Sequence, residues 1–230
     1  MKQKIIDNNE ESNKGKISPE SSEDPFHQEN SSIEFNSTIQ EYNVEEDKDF
    51  LRILKIFCIL LISPLEGWKT IRRHNISSNI WAQNCFYPII AFSAVSIFFN
   101  KFYNPYASIE ELLIPAVARF IAFFFGYFLI SILCQIFLPN SSQILTESNF
   151  GKIFIMSILA SLAVFIAVIS FLPMLEPVFV FLPLWSIYIL YKGVRFLKLS
   201  EHSQAWTVIV LGILIVGIPY LLNWSFNIIL

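Results

Sequence analysis

Long runs without charge dominate the chain from residue 75 onward. A helix needs about 20 mostly apolar residues to cross the ~30 Å hydrocarbon core of a bilayer. Residues 75–100 contain no Asp, Glu, Lys, Arg or His, and Trp81–Phe99 is the natural span inside them. Leu112–Leu138 predicts a second span with Arg119 embedded, and Ile153–Leu172 a third. Residues 177–191 are charge-free but short, so a fourth helix is expected to run on to Leu197, with Lys192 and Arg195 reaching toward headgroups. Nothing after His202 is charged, which predicts a fifth span over about Ala205–Phe226. The expected fold is therefore an all-α integral membrane protein, a compact bundle of five transmembrane helices over residues 76–230.

The segment before the first span has a different pattern. Residues 50–62 are nearly all apolar, yet 13 residues rise only about 20 Å as a helix. Arg52 and Lys55 share one face. Such a helix either lies in the membrane interface or packs beneath the bundle. Ser63-Pro64-Leu65-Glu66 then reads as a capping box, with Ser63 at N-cap, Pro64 at N1 and Glu66 at N3. Leu65, Trp68 and Ile71 follow at spacings of three and predict one apolar stripe, flanked by Lys69, Arg72 and Arg73. Trp68 is expected at headgroup level, and the basic residues against an anionic inner leaflet. Residues 49–75 are thus read as two interfacial amphipathic helices.

Charge separates the remaining tail from everything after it. Residues 1–49 carry 13 acidic and 5 basic side chains, residues 50–230 carry 6 acidic and 11 basic ones, and the whole chain is at −3. Residues 1–48 are rich in Ser, Asn, Glu and Lys, with apolar residues scattered without period. That composition buries too little apolar surface to offset ordering entropy, so the tail is expected to be disordered. It serves as an interaction segment or as a soluble leader. No apolar stretch follows Met1, so no secretory signal is expected and the tail is placed in the cytoplasm. With five spans and the N-terminus inside, nine basic residues fall on the inner side (Arg52, Lys55, Lys69, Arg72, Arg73, Lys152, Lys192, Arg195 and Lys198) and Lys101 alone outside. That is the asymmetry the positive-inside rule requires, and it puts the C-terminus outside.

Two stretches resemble a known family. Ser63-Pro64-Leu65-Glu66-Gly67-Trp68-Lys69-Thr70-Ile71 is similar to the Pro-x-x-x-Trp-x-x-Ile signature that precedes the first span in bacterial proteins of the Yip1 family. Tyr191-Lys192-Gly193-Val194-Arg195-Phe196-Leu197, followed by Ser200 and Ala205, is similar to the family's connection between the fourth and fifth spans. The resemblance implies a five-helix bundle with a cytoplasmic N-terminus, in the bacterial cytoplasmic membrane. Eukaryotic relatives are linked to small GTPases and vesicle traffic, but their Asp-Leu-Tyr-Gly-Pro signature is absent here, so no GTPase partner is carried over.

Candidate chemistry is sparse. Cys58, Cys85 and Cys134 fall on three separate predicted helices, and His27, His74 and His202 in the tail or at helix ends, without metal-ligand spacing. No span contains Asp, and there is no phosphate-cradling Gly-rich loop. Neither an enzyme nor a cofactor or metal is expected. Arg119 is the one charge well inside a span, and such residues default to functional candidates. Either Pro115 starts the helix late and Arg119 snorkels to the outer interface, or Arg119 pairs with Glu176 between Pro173 and Pro177. Small residues recur at Ala118, Ala122 and Gly126, and at Ala160, Ala163, Ala167 and Ser170, and predict close helix contacts. The reading that follows is a membrane scaffold or adaptor for lipids or for an unidentified membrane or cytoplasmic protein, with homo-oligomers left open and no nucleic acid expected. The alternative is a component of a transport or permeation complex, motivated by Arg119, Pro177 and Pro183.

Overall fold

A computed structural model of the chain describes residues 49–172 and 181–229. The expected disordered tail, the link Pro173–Glu176 and Glu176 itself lie outside the described residues. Among the described residues the chain is helical throughout, with no strand.

Helix α1 covers residues 49–62. Ile53, Ile56, Phe57 and Leu60 form one face and join the main core, while Arg52 and Lys55 stay exposed. The apolar face of this segment thus packs against the bundle. Helix α2, Pro64–His74, begins at a sharp corner. Ser63 precedes it, but the capping box expected there does not form. The Ser63 N–H that Glu66 would have to cap already donates to the Ile59 carbonyl at 2.7 Å, in the last turn of α1. Glu66 turns instead to Lys69 at 2.7 Å. The apolar stripe is also displaced. Pro64, Gly67, Trp68 and Ile71 are buried, while Leu65 is exposed. Helix α2 ends with Arg72, Arg73 and His74 at its negative pole and stops at Asn75, whose φ of 44° breaks the helix.

Helix α3, Ser78–Tyr103, is the first candidate span. It widens into a π turn at Ala82–Phe86 and tightens into a 3-10 turn at Ser96–Phe99. Pro88 lacks an N–H and its ring crowds the carbonyl four residues back, which accounts for the widened turn before it.

Helix α4, Ile109–Phe137, carries the capping box that α2 lacks. The Glu111 N–H donates to Ser108 Oγ and the Ser108 N–H donates to the Glu111 carboxylate, both at 3.1 Å. Pro115 therefore sits inside the helix and does not start it, a correction to the late start considered for the sequence. Ser108→Ala should lower stability by about 1 kcal/mol. Ser63→Ala, which removes no capping bond, should change it little. Apparent melting temperatures of the two purified variants, taken at one heating rate, check the contrast.

A short connection, Pro139–Ser142 and a π turn at Gln143–Glu147, leads into α5, Asn149–Phe171. Of the most apolar 18-residue window in α5, 67% is buried, against 28% in α4. Helix α5 is therefore the central helix, and α4 an outer one. Ala160, Ala163 and Ala167 of α5 have no exposed surface, as the small-residue stripe predicts. Helix α6, Leu182–Val194, is followed by a 3-10 turn, Arg195–Leu197, and by Lys198 at φ 54°. Helix α7, Glu201–Ile229, packs along α4. Ala118, Ala122 and Gly126 of α4 are buried, and a Cβ at Gly126 would lie 3.7 Å from Pro219 of α7.

Four helices of the described residues are long and apolar enough to cross a membrane: Ser78–Tyr103, Ile109–Phe137, Asn149–Phe171 and Ser203–Leu222. Helix α6 has 13 described residues, about 20 Å, which is below that length.

Candidate functional site

The two stretches that drew attention in the sequence meet inside the bundle. Trp68 of α2 is completely buried. Its indole Nε1–H donates to the Ile189 carbonyl of α6 at 3.0 Å. The ring lies edge-on to Phe150, with centroids 6.0 Å apart, and tilted against Phe154 at 5.1 Å. The slot exists because residue 193 is glycine. A Cβ there would stand 2.6 Å from the indole and 2.5 Å from Phe154. Trp68 therefore faces protein and not lipid: a carbonyl satisfies its N–H and aromatic walls surround the ring. Pro64 and Ile71 are buried beside it and seat the same face of α2.

With α2 fixed, basic side chains gather at this end. Arg72 Nη1 donates to the Phe196 carbonyl at 3.0 Å, bridging α2 to the turn after α6. Arg195 Nη2 donates to the Tyr191 hydroxyl at 2.9 Å and its guanidinium lies 5.2 Å from the Tyr191 ring centre. Lys192 Nζ sits 5.2 Å from the Tyr188 ring centre and 5.6 Å from that of Tyr191. Arg73 and Lys198 are exposed. Lys69, held by Glu66, lies one helical turn before Arg72 and Arg73. Arg52 of α1 donates to His74 Nδ1 at 2.9 Å. Between α2, α5 and the 3-10 turn lies a cleft of about 380 Å³, with Arg72, Asn75, Asn149 and Lys198 among its lining and Ile71 and Phe150 on its apolar side.

Asn149 was not singled out in the sequence. Its Oδ1 accepts from the Ser78 N–H at 2.5 Å and its Nδ2 donates to the Ile76 carbonyl at 2.6 Å, tying the start of α3 to the start of α5. Nothing local marks it, because its partners are more than 70 residues away in sequence.

Arg119 lies at the other end of α5. Its Nη1 donates to Ser170 Oγ at 2.9 Å, to the Ser93 carbonyl at 3.3 Å and to Ser96 Oγ at 3.4 Å. Ser93 and Ser96 come from α3, and Ser170 is the last member of the small-residue stripe on α5. The expected partner Glu176 falls outside the described residues. Nearby, the Tyr103 hydroxyl donates to the Phe171 carbonyl at 2.7 Å. About 30 Å of helix separates Phe150 from Ser170 along α5, so the basic end and Arg119 are distinct places. The three cysteines are dispersed: Cys85 and Cys134 are buried, and Cys58 is exposed on α1.

Comparison with curated proteins and with solved structures gives no match. A family model, the Yip1 domain, matches residues 58–222. That match runs from α1 through the candidate spans and takes in both stretches joined at Trp68. This chain, with its long apolar helices, belongs to the Yip1 domain family and is a multi-pass membrane protein.

Proposed function

We propose that the protein is a non-enzymatic scaffold or adaptor that holds membrane lipids or a protein partner against its basic end. The observation that carries this reading is the Trp68 lock. It holds α2 against α6, where Arg72 reaches the turn that carries Arg195 and lines one cleft with Lys198. Basic side chains near a membrane surface attract anionic lipid headgroups and acidic protein segments. In this proposal the chain makes a fifth crossing that includes α6. The basic end then faces the cytoplasm of a bacterial inner membrane and the C-terminus lies outside, the arrangement favoured by nine inner basic residues against one outer.

Photo-crosslinking from position 73 in native membranes tests the reading. Wild type should capture a defined protein or anionic lipid, and capture should fall at least fivefold when Arg72 and Lys198 are both changed to Glu. Unchanged capture would remove the basic end from the account. A second reading, a component of a transport complex, draws on Arg119 lying within a candidate span. Solute flux in proteoliposomes that is lost on Arg119→Ala would favour it over the scaffold.

A further inference from the structure

Beside Arg119 the helices leave a cavity of about 310 Å³. Its walls come from α4, α5 and α7: Ala122, Phe123, Leu162, Ile166 and Val216 are all apolar, and Pro183 of α6 closes one side. Tyr220, 73% exposed, also lines it and marks its open lip. Among the described lining residues Arg119 carries the only charge. We propose that this cavity seats an anionic membrane phospholipid, its phosphate on Arg119 and an acyl chain along the apolar wall.

Three observations converge on that occupant. First, Arg119 lies ten residues into α4, about 15 Å along the helix from Ile109, where an ionised side chain is costly without an opposite charge. Its three acceptors are neutral and are all served by Nη1. They orient the guanidinium without cancelling its charge. A guanidinium has five N–H donors in a planar fork, and that fork matches two oxygens of one phosphate. Second, the walls discriminate between sources of phosphate. A free phosphate ion gains nothing from Phe123, Leu162, Ile166 and Val216, whereas a lipid buries its chain against them. Third, Arg119 carries the one charge among the described lining residues, so a head group of net negative charge, as in phosphatidylglycerol, matches it better than zwitterionic phosphatidylethanolamine. The site is at the opposite end of α5 from the basic surface and does not depend on the scaffold reading.

Native mass spectrometry of the full-length protein, offered phosphatidylglycerol, phosphatidylethanolamine or inorganic phosphate, tests the assignment. Wild type should retain phosphatidylglycerol and show a raised melting temperature with it. Arg119→Gln should weaken retention at least tenfold, and Arg119→Lys less. Val216→Phe fills the cavity and keeps the charge, so it should also block retention, and it decides the matter where Arg119→Gln fails to fold. Glu176→Gln should leave retention unchanged. Equal retention by wild type and Val216→Phe overturns the proposal. So does displacement of the lipid by millimolar inorganic phosphate. So, too, does retention that appears only in Glu176→Gln, because Glu176 would then be the natural occupant.

Discussion

Trp68→Ala is expected to cost about 3–5 kcal/mol, the range for truncating a fully buried large aromatic. The indole is the largest buried side chain at the junction of α2, α5 and α6. Its loss leaves a void against Phe154 and strips the Ile189 carbonyl of its indole donor. Trp68→Phe refills part of the slot but restores no donor, so it should fall between the two. The measurement is the apparent melting temperature in detergent at a fixed heating rate, followed by loss of monodisperse protein on size exclusion. A drop of the order of 10 °C is expected for the alanine variant. A drop of a degree or two would mean that the Trp68 slot contributes little to holding α2.

Gly67→Ala should be nearly as damaging although it adds a single methyl group. Helix α2 turns back against α1 so closely that a Cβ at residue 67 would lie 2.8 Å from both the N and the Cβ of Leu60. These atoms belong to the α1 backbone and to a side-chain root that has no room to swing. The corner must open, and overpacking of this kind costs about 1–3 kcal/mol. Opening it also moves the adjacent Trp68, so the effect should reach the upper part of that range. Gly217→Ala is the control. It lies within α7 and a Cβ there would meet nothing within 4 Å. Its melting temperature should hold or rise slightly, because alanine is the better helix former. If Gly67→Ala melts with Gly217→Ala, the close approach of α1 and α2 is not a constraint on the fold.

The parts of this fold that the sequence revealed are those the bilayer enforces. Charge-free runs of about 20 residues mark α3, α4, α5 and α7, because lipid offers no partner for an exposed polar group. The alanine stripes on α4 and α5 mark contact faces, because backbones approach closely only over small residues. What stayed hidden depends on residues distant in sequence. Ser63 and Ser108 carry the same local pattern, Ser followed three residues later by Glu. They part company because α1 has already taken the Ser63 N–H. Trp68 resembles an interfacial anchor until Gly193, 125 positions later, opens a slot for it. The polar ring around Arg119 draws Ser93 and Ser96 from one helix and Ser170 from another. No local periodicity signals that convergence.

The distribution of sulfur has a practical consequence. Of the chain's three thiols, two are sealed among packed side chains and the third, on α1, stands open. A maleimide therefore meets one position that the packed fold leaves uncovered. Unequal modification by an impermeant reagent in inverted and right-side-out vesicles would report which compartment this face of α1 meets, and modification only by a permeant reagent would set it against lipid.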